Sequence, residues 1–170
     1  MAAPVPGVCY RPRMDILITL ADQTLTLRDG AETTLFSVST ARAGAGCRQG
    51  SNATPLGRHL VRARFGEGLP AGAVFRGRRF HGELYDPARA AARPAQDWIL
   101  SRILWLGGLQ PGLNQGGDVD SFRRFIYIHG TPDSEPMGEP ASHGCIRMRN
   151  TDVIALFARV PVATPVTLIE

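Results

Sequence analysis

The stretch Ile128–Asn150 (IHGTPDSEPMGEPASHGCIRMRN) concentrates the side chains able to do chemistry. His129 stands ahead of a polar loop holding Pro132, Pro136 and Pro140, and the chain returns as Ser142-His143-Gly144-Cys145. One loop therefore joins an imidazole to a thiol. With the flanking pieces as neighbouring strands, His129 and Cys145 come within hydrogen-bond reach. That is the minimum for thiol catalysis, because the imidazole takes the thiol proton and the resulting imidazolium stabilises the thiolate. Gly130 and Gly144 allow the backbone to approach closely, and the amides around Gly144 and Cys145 can face a developing oxyanion.

His143 and Arg147 each lie two residues from Cys145, so in an extended segment all three share one face. His143 is read as shaping the site or as taking a direct catalytic part. Arg147 is read as holding a substrate carboxylate through a bidentate pair, or as making a structural ion pair. Ser142 suits a local hydrogen bond. Tyr127, just ahead of His129, reads as core, with a substrate-facing role as the alternative. Other readings compete with catalysis. A lone cysteine in a β protein is usually a small buried hydrophobe, and a lone histidine is often a satisfied core residue. Zinc fits poorly: His129, His143 and Cys145 give a His-x-Cys spacing unlike the usual pairs, with no fourth ligand nearby, so neither metal nor cofactor is expected. The papain-like and caspase-like cysteine contexts are absent.

Several function classes are excluded by composition. The chain has 170 residues, 44% hydrophobic and 20% charged, which is globular usage and neither a disordered tail nor a fibrous repeat. No window approaches the roughly 18 consecutive apolar residues of a spanning helix. The formal charge is +4, and every positive residue is arginine. These arginines are dispersed, the tightest groups being Arg76-Gly77-Arg78-Arg79 and Arg123-Arg124, with no interleaved aromatics; no nucleic-acid partner is expected. Three cysteines, Cys9, Cys47 and Cys145, rule out a disulfide framework, leaving a Cys9–Cys47 pair on export or free thiols. The first residues carry Pro4, Pro6 and Pro12 without an apolar run, so no secretory signal is visible, and residues 1–13 are expected to be a flexible segment ahead of one domain, 14–170.

The elements that must position the chemistry are mostly strands. MDILITL (14–20) is rich in branched apolar residues, TLTLR (24–28) alternates, Asp29-Gly30 signals a hairpin turn, and TTLFSVST (33–40) continues the meander. Residues 41–57 read as loop and RHLVRAR (58–64) as a strand with His59, Val61 and Ala63 on one face. The glycine- and proline-rich 66–96 stretch reads as irregular, ILSRILWL (99–106) as a strand, 107–120 as a mobile connection, and RFIYI (124–128) as the strand that delivers His129-Gly130. One helix follows, capped by Asn150 or Thr151, with Val153, Ile154, Phe157 and Val160 at helical spacing and Pro161 as its stop. A last strand covers 166–169. The expected fold is mainly β, a single-domain sheet or sandwich with one packed C-terminal helix and long glycine-rich loops.

This constellation resembles the signature of the L,D-transpeptidase catalytic domain (the YkuD-type family). His129-Gly130-Thr131 and Ser142-His143-Gly144-Cys145-Ile146-Arg147-Met148 fit it without a gap, and Thr54-Pro55-Leu56-Gly57 matches the family's Thr-Pro-x-Gly element. The resemblance covers about residues 14–170. It implies a mainly β domain that cross-links peptidoglycan stem peptides through an acyl-enzyme. Cys145 would be the nucleophile and His129 the base, with the Gly130 carbonyl orienting the imidazole and the Gly144 and Cys145 amides forming the oxyanion hole. The bond attacked would join a diaminopimelate L-centre to a terminal D-alanine. The acceptor would be a second stem amine or a lipoprotein lysine; water (an L,D-carboxypeptidase) and a non-catalytic wall-binding domain are the alternatives. The resemblance also implies acylation by carbapenems and a place in the cell envelope or periplasm.

Overall fold

A computed structural model describes residues 14–170 of the chain. The expected N-terminal segment 1–13, Cys9 within it, lies outside the described residues. The first strand stretches fold as read: β1 (Met14–Thr19), β2 (Thr24–Asp29) and β3 (Glu32–Ser37) form an antiparallel meander whose inward residues include Ile16, Ile18, Leu25 and Leu27. The turn between β2 and β3 places Gly30 at φ 60°, a conformation that glycine adopts without steric cost. Strand β4 (Gly57–Phe65) and β10 (Pro165–Ile169) complete this half, β10 running parallel to β1 and antiparallel to β4.

Strand β7 (Ile99–Gly108) is the hub of the sheet. It pairs with β4 along Ile103–Gly108, with β5 (Ala73–Arg76) at Ile99 and Leu100, and with β8 (Tyr127–Gly130). Strand β9 (Ile146–Met148) lies parallel to β8, so the His129 and Cys145 segments are neighbours in one curled sheet. Helix α2 (Asn150–Arg159) packs Val153, Leu156 and Phe157 against the main core, which also holds Ile128, Ile146 and Met148. Each such side chain contributes roughly 1.5–3 kcal/mol by leaving water. Pro161 follows the helix end, as its missing N–H and ring demand.

Four expectations about the elements need correction. The 66–96 stretch is not irregular: β5 turns through Gly77-Arg78 into β6 (Arg79–Leu84), and a short helix α1 (Pro87–Ala90) follows with Asp86 as its cap. Its outer strand, RFHGEL, is mostly exposed and interleaves Arg79, His81 and Glu83 with a glycine, so no clear apolar face announces it. The 107–120 connection is tied down rather than mobile. Asn114 is wholly buried there; it donates to the carbonyls of Leu56 and Arg58 and accepts from the Gln110 amide. The strand before His129 begins at Tyr127, because Arg124 and Phe125 belong to a turn in which Phe125 takes φ 56°. Finally, Arg149 occupies the cap position of α2 without a side-chain cap bond, and Asn150 is already helical, its amide used elsewhere.

Candidate active site

The parallel register pairs Ile128 with Ile146, His129 with Arg147 and Gly130 with Met148. Residues opposite one another in a sheet point to the same face, and faces alternate along each strand. Ile128, Ile146 and Met148 fill the main core, whereas Tyr127 lies in a second cluster with Phe75, Ile103 and Trp105, against which Cys145 packs. His129, Arg147, Tyr127 and Cys145 thus stand on the face away from the helix.

His129 is wholly buried. Its Nδ1 lies 2.7 Å from its neighbour's carbonyl, Gly130 O; a carbonyl only accepts, so Nδ1 carries the proton and Nε2 the lone pair. That Nε2 is buried with no hydrogen-bond partner, a basic atom unused by the fold. Burial is the largest influence on the ring and lowers its pKa, with Asp97 and the Gly130 carbonyl opposing and Arg147 assisting. The imidazole is neutral at rest. Gly130 is required here: an added Cβ would fall 2.5 Å from Asn150 Oδ1 and 2.5 Å from Leu100 O.

The Cys145 thiol does not sit on the imidazole. Sγ donates to Phe125 O at 3.3 Å and accepts from the Tyr127 amide at 3.4 Å. Desolvation pushes its pKa up to about 12, against the smaller opposing effects of the Tyr127 amide, Arg147 and Arg124. The thiol is thus bonded to backbone and not to the imidazole, so the hydrogen-bonded Cys–His pair anticipated from residue types is not formed in this arrangement. The thiol is only partly covered and opens on a cleft of about 120 Å³ lined by Gln49, Gly50, Asn52, Arg124, Phe125 and His143.

The turn carrying the thiol is pinned from both sides. Ser142 Oγ donates to Cys145 O at 2.5 Å and accepts from the Gly144 amide at 3.3 Å, the local role its position suggested. Gly144 adopts φ 133°, where L side chains are strained. Its carbonyl accepts from Thr54 Oγ1 at 3.0 Å, and the same hydroxyl accepts from the Ala41 amide at 3.0 Å. Thr54 thus ties the Thr-Pro-x-Gly element to the nucleophile turn across 90 residues of sequence. On the other side of β9, Ser39 and Arg147 exchange both backbone hydrogen bonds at 2.9 Å.

Arg147 is 5% exposed and spent on ion pairs, with Asp97 at 2.7 Å and Glu135 at 3.1 Å. This is the structural alternative weighed for it, and Asp97 had no local signal to mark it. His143 is exposed, lines the cleft beside Cys145, and stands 3.7 Å from Asp97. Tyr127 is buried edge-on against Trp105, and its hydroxyl accepts from Arg78 at 3.2 Å, which places it in the core and not on a substrate platform. Cys47 makes no disulfide among the described residues. Nor do those residues hold any group of three His, Cys, Asp or Glu able to cage a metal ion.

Comparison with known proteins bears on the same residues. The family model for the L,D-transpeptidase catalytic domain, YkuD, matches residues 13–168. A stretch of 47 residues is 47% identical to the protein named "Probable L,D-transpeptidase YbiS" of Escherichia coli K12, covering 28% of this chain and 15% of that protein. "Probable L,D-transpeptidase ErfK/SrfK" of Salmonella typhimurium matches to the same extent, 47% over 47 residues. Among solved structures, L,D-transpeptidase 3 of Mycobacterium tuberculosis, in complex with a faropenem-derived adduct, superposes with a TM-score of 0.58 at 16% identity. That match covers 94% of this chain and 61% of the other, and it establishes the shared fold. In each case the chain spans less than two thirds of its relative's length. With the family model running through nearly every described strand, the chain belongs to the L,D-transpeptidase catalytic domain family.

Proposed function

We propose that this domain is a cysteine L,D-transpeptidase acting on peptidoglycan stem peptides. The observation that carries the reading is the buried, unpartnered Nε2 of His129 on the strand beside Cys145, held in the base tautomer by Gly130 O. Substrate entering the cleft displaces the thiol from Phe125 O toward Nε2. Cys145 Sγ then attacks the carbonyl carbon between the diaminopimelate L-centre and D-alanine, and its proton passes to His129 Nε2. The oxyanion forms near the Cys145 amide, a preorganised donor that stabilises it; the Gly144 amide, expected to share that role, is already given to Ser142 Oγ. Collapse breaks the C–N bond. His129 returns the proton to the leaving D-alanine nitrogen, and a thioester remains on Cys145. An acceptor amine gives its proton to His129 as it attacks the thioester, which releases the product and regenerates the thiol.

The neutral resting pair makes His129 a general base that acts during attack, not a partner in a preformed ion pair. Work on stem peptides belongs in the cell envelope, and no helix of the described residues is long and apolar enough to cross a membrane. Incubation with purified wall fragments bearing tetrapeptides, read by mass spectrometry, tests the proposal. Cross-linked products with free D-alanine are expected. Trimming without cross-links would make water the acceptor and the enzyme a carboxypeptidase. Fragments retained unchanged would make it a wall-binding domain.

A further inference from the structure

We infer that Ser101 is a positioning residue for His129, acting through Asn150 and the backbone of Gly130 and Thr131; this rests on the reading of His129 as the base. Strands β7 and β8 pair Leu100 with Gly130 and then Ile103 with His129, so Ser101 and Arg102 bulge out directly opposite the His129-Gly130 step. Ser101 is wholly buried and adopts φ 66°, the left-handed region that a non-glycine residue enters only under strain. The bulge is held against relaxation. Ser101 O accepts from Arg102 Nη1 at 2.6 Å and stands where a Cβ on Gly66 would clash, 2.7 Å away.

The hydroxyl of Ser101 has one proton, and the surroundings dictate where it goes. Oγ accepts from the Gly72 amide at 2.9 Å, so its own proton is donated to Asn150 Oδ1 at 2.6 Å. That bond fixes which way the Asn150 amide faces. Its Nδ2 then donates to Thr131 O at 3.0 Å. The adjoining peptide is held by its N–H, Thr131 N donating to Met148 O at 3.1 Å, and the carbonyl of that same peptide is Gly130 O, the acceptor for His129 Nδ1. Directed hydrogen bonds therefore run from Ser101 to Thr131, and the backbone of Thr131 carries that hold to the neighbouring Gly130 O, which orients the imidazole. A bulge needed only for packing has no use for a serine at this φ, where glycine would sit without strain. The hydroxyl is the reason for the residue.

Ser101→Gly tests this, because glycine accepts φ 66° and the whole CH2OH group, with its hydroxyl, is lost. The readout is the pH dependence of carbapenem acylation at Cys145, a step that uses the base during attack, with thermal melting alongside and His129→Ala as the reference. Ser101→Gly should melt somewhat lower, since the Gly72 amide and Asn150 Oδ1 lose their partner, yet stay folded at assay temperature, move the acylation profile toward that of His129→Ala and slow acylation by up to roughly a hundredfold. Asn150→Asp, nearly the same in shape, cuts the second link and should shift the profile likewise; it carries the test if Ser101→Gly does not fold. The double variant should be no slower than the worse single one, since the links act in series. Profiles of Ser101→Gly and Asn150→Asp that coincide with wild type, while His129→Ala shifts, would overturn the inference and leave the base intact. A His129→Ala profile that itself coincides with wild type removes the base, and the inference with it.

Discussion

Cys145, on the turn that enters β9, and His129, on the parallel neighbour β8, lie on one face of the sheet without sharing a hydrogen bond. The thiol is occupied by Phe125 O and the Tyr127 amide, while the imidazole's Nε2 is buried and unpartnered. An unsatisfied buried acceptor costs about 1–3 kcal/mol, and here that cost holds a base ready for a proton the resting thiol does not yet give it.

If Cys145 is the nucleophile, Cys145→Ala abolishes turnover of tetrapeptide substrate and leaves the melting temperature close to wild type. Cys47→Ala retains turnover. Product release followed by chromatography checks both; turnover surviving in Cys145→Ala would sink the mechanism.

Acylation by a β-lactam should follow the same residue. A carbapenem is expected to add the mass of one drug molecule to the wild-type protein and none to Cys145→Ala, because the strained lactam carbonyl presents the same target as the scissile amide. Intact-protein mass spectrometry reads this directly, and a label mapping to Cys47 would relocate the site.

For His129→Ala, turnover should fall by on the order of 10²–10⁴, the range for a lost general base. The acid limb of the wild-type profile should lie below the usual histidine value of about 6.5, because burial disfavours the imidazolium and the ring stays a base as pH falls. His143→Ala should cost less, since its ring is exposed and contacts Asp97 only at 3.7 Å. A wild-type acid limb above pH 7 would contradict the neutral buried ring.

Thr54→Val removes the hydroxyl that joins Gly144 O to the Ala41 amide while keeping the shape. Both partners are then left buried, so stability should drop by about 1–3 kcal/mol in urea titration. Acylation should slow as well, because the nucleophile turn loses its anchor. A variant equal to wild type in both respects would show that the Thr-Pro-x-Gly element does not support the site.

Stability should also respond to His59. Its Nδ1 is 3.0 Å from Gly57 O and its Nε2 2.9 Å from Ser121 Oγ, and burial lowers its pKa to about 4. Between that value and about 6.5 the unfolded chain binds a proton that the folded chain refuses, so stability is lost as pH falls through this window. Going from pH 7 to 4.5 should cost about 2 kcal/mol from this residue. His59→Gln should lose correspondingly less over that range; an unchanged slope would mean that His59 titrates normally.

What the sequence by itself determined is local. The branched apolar run MDILITL and the alternating TLTLR specified strands, Asp29-Gly30 the turn after the second, and Val153, Phe157 and Val160 the helix that covers the sheet. The Ser142–Met148 motif and His129-Gly130 specified the family, because their residue types sit at short, readable spacings. Tertiary structure alone decided which partner each group meets. Arg147 finds Asp97 fifty residues away, Thr54 finds Gly144, and Ser101 finds Asn150, contacts set by strand register and by a bulge in β7. The thiol's attachment to Phe125 O likewise depends on a turn in which Phe125 takes φ 56°. The physical reason is one of range. Periodicity and turn chemistry report on a few neighbouring residues, whereas a hydrogen bond across the sheet depends on how distant segments pair, and on a side chain such as Ser101, whose type carries no signal until the backbone around it has closed.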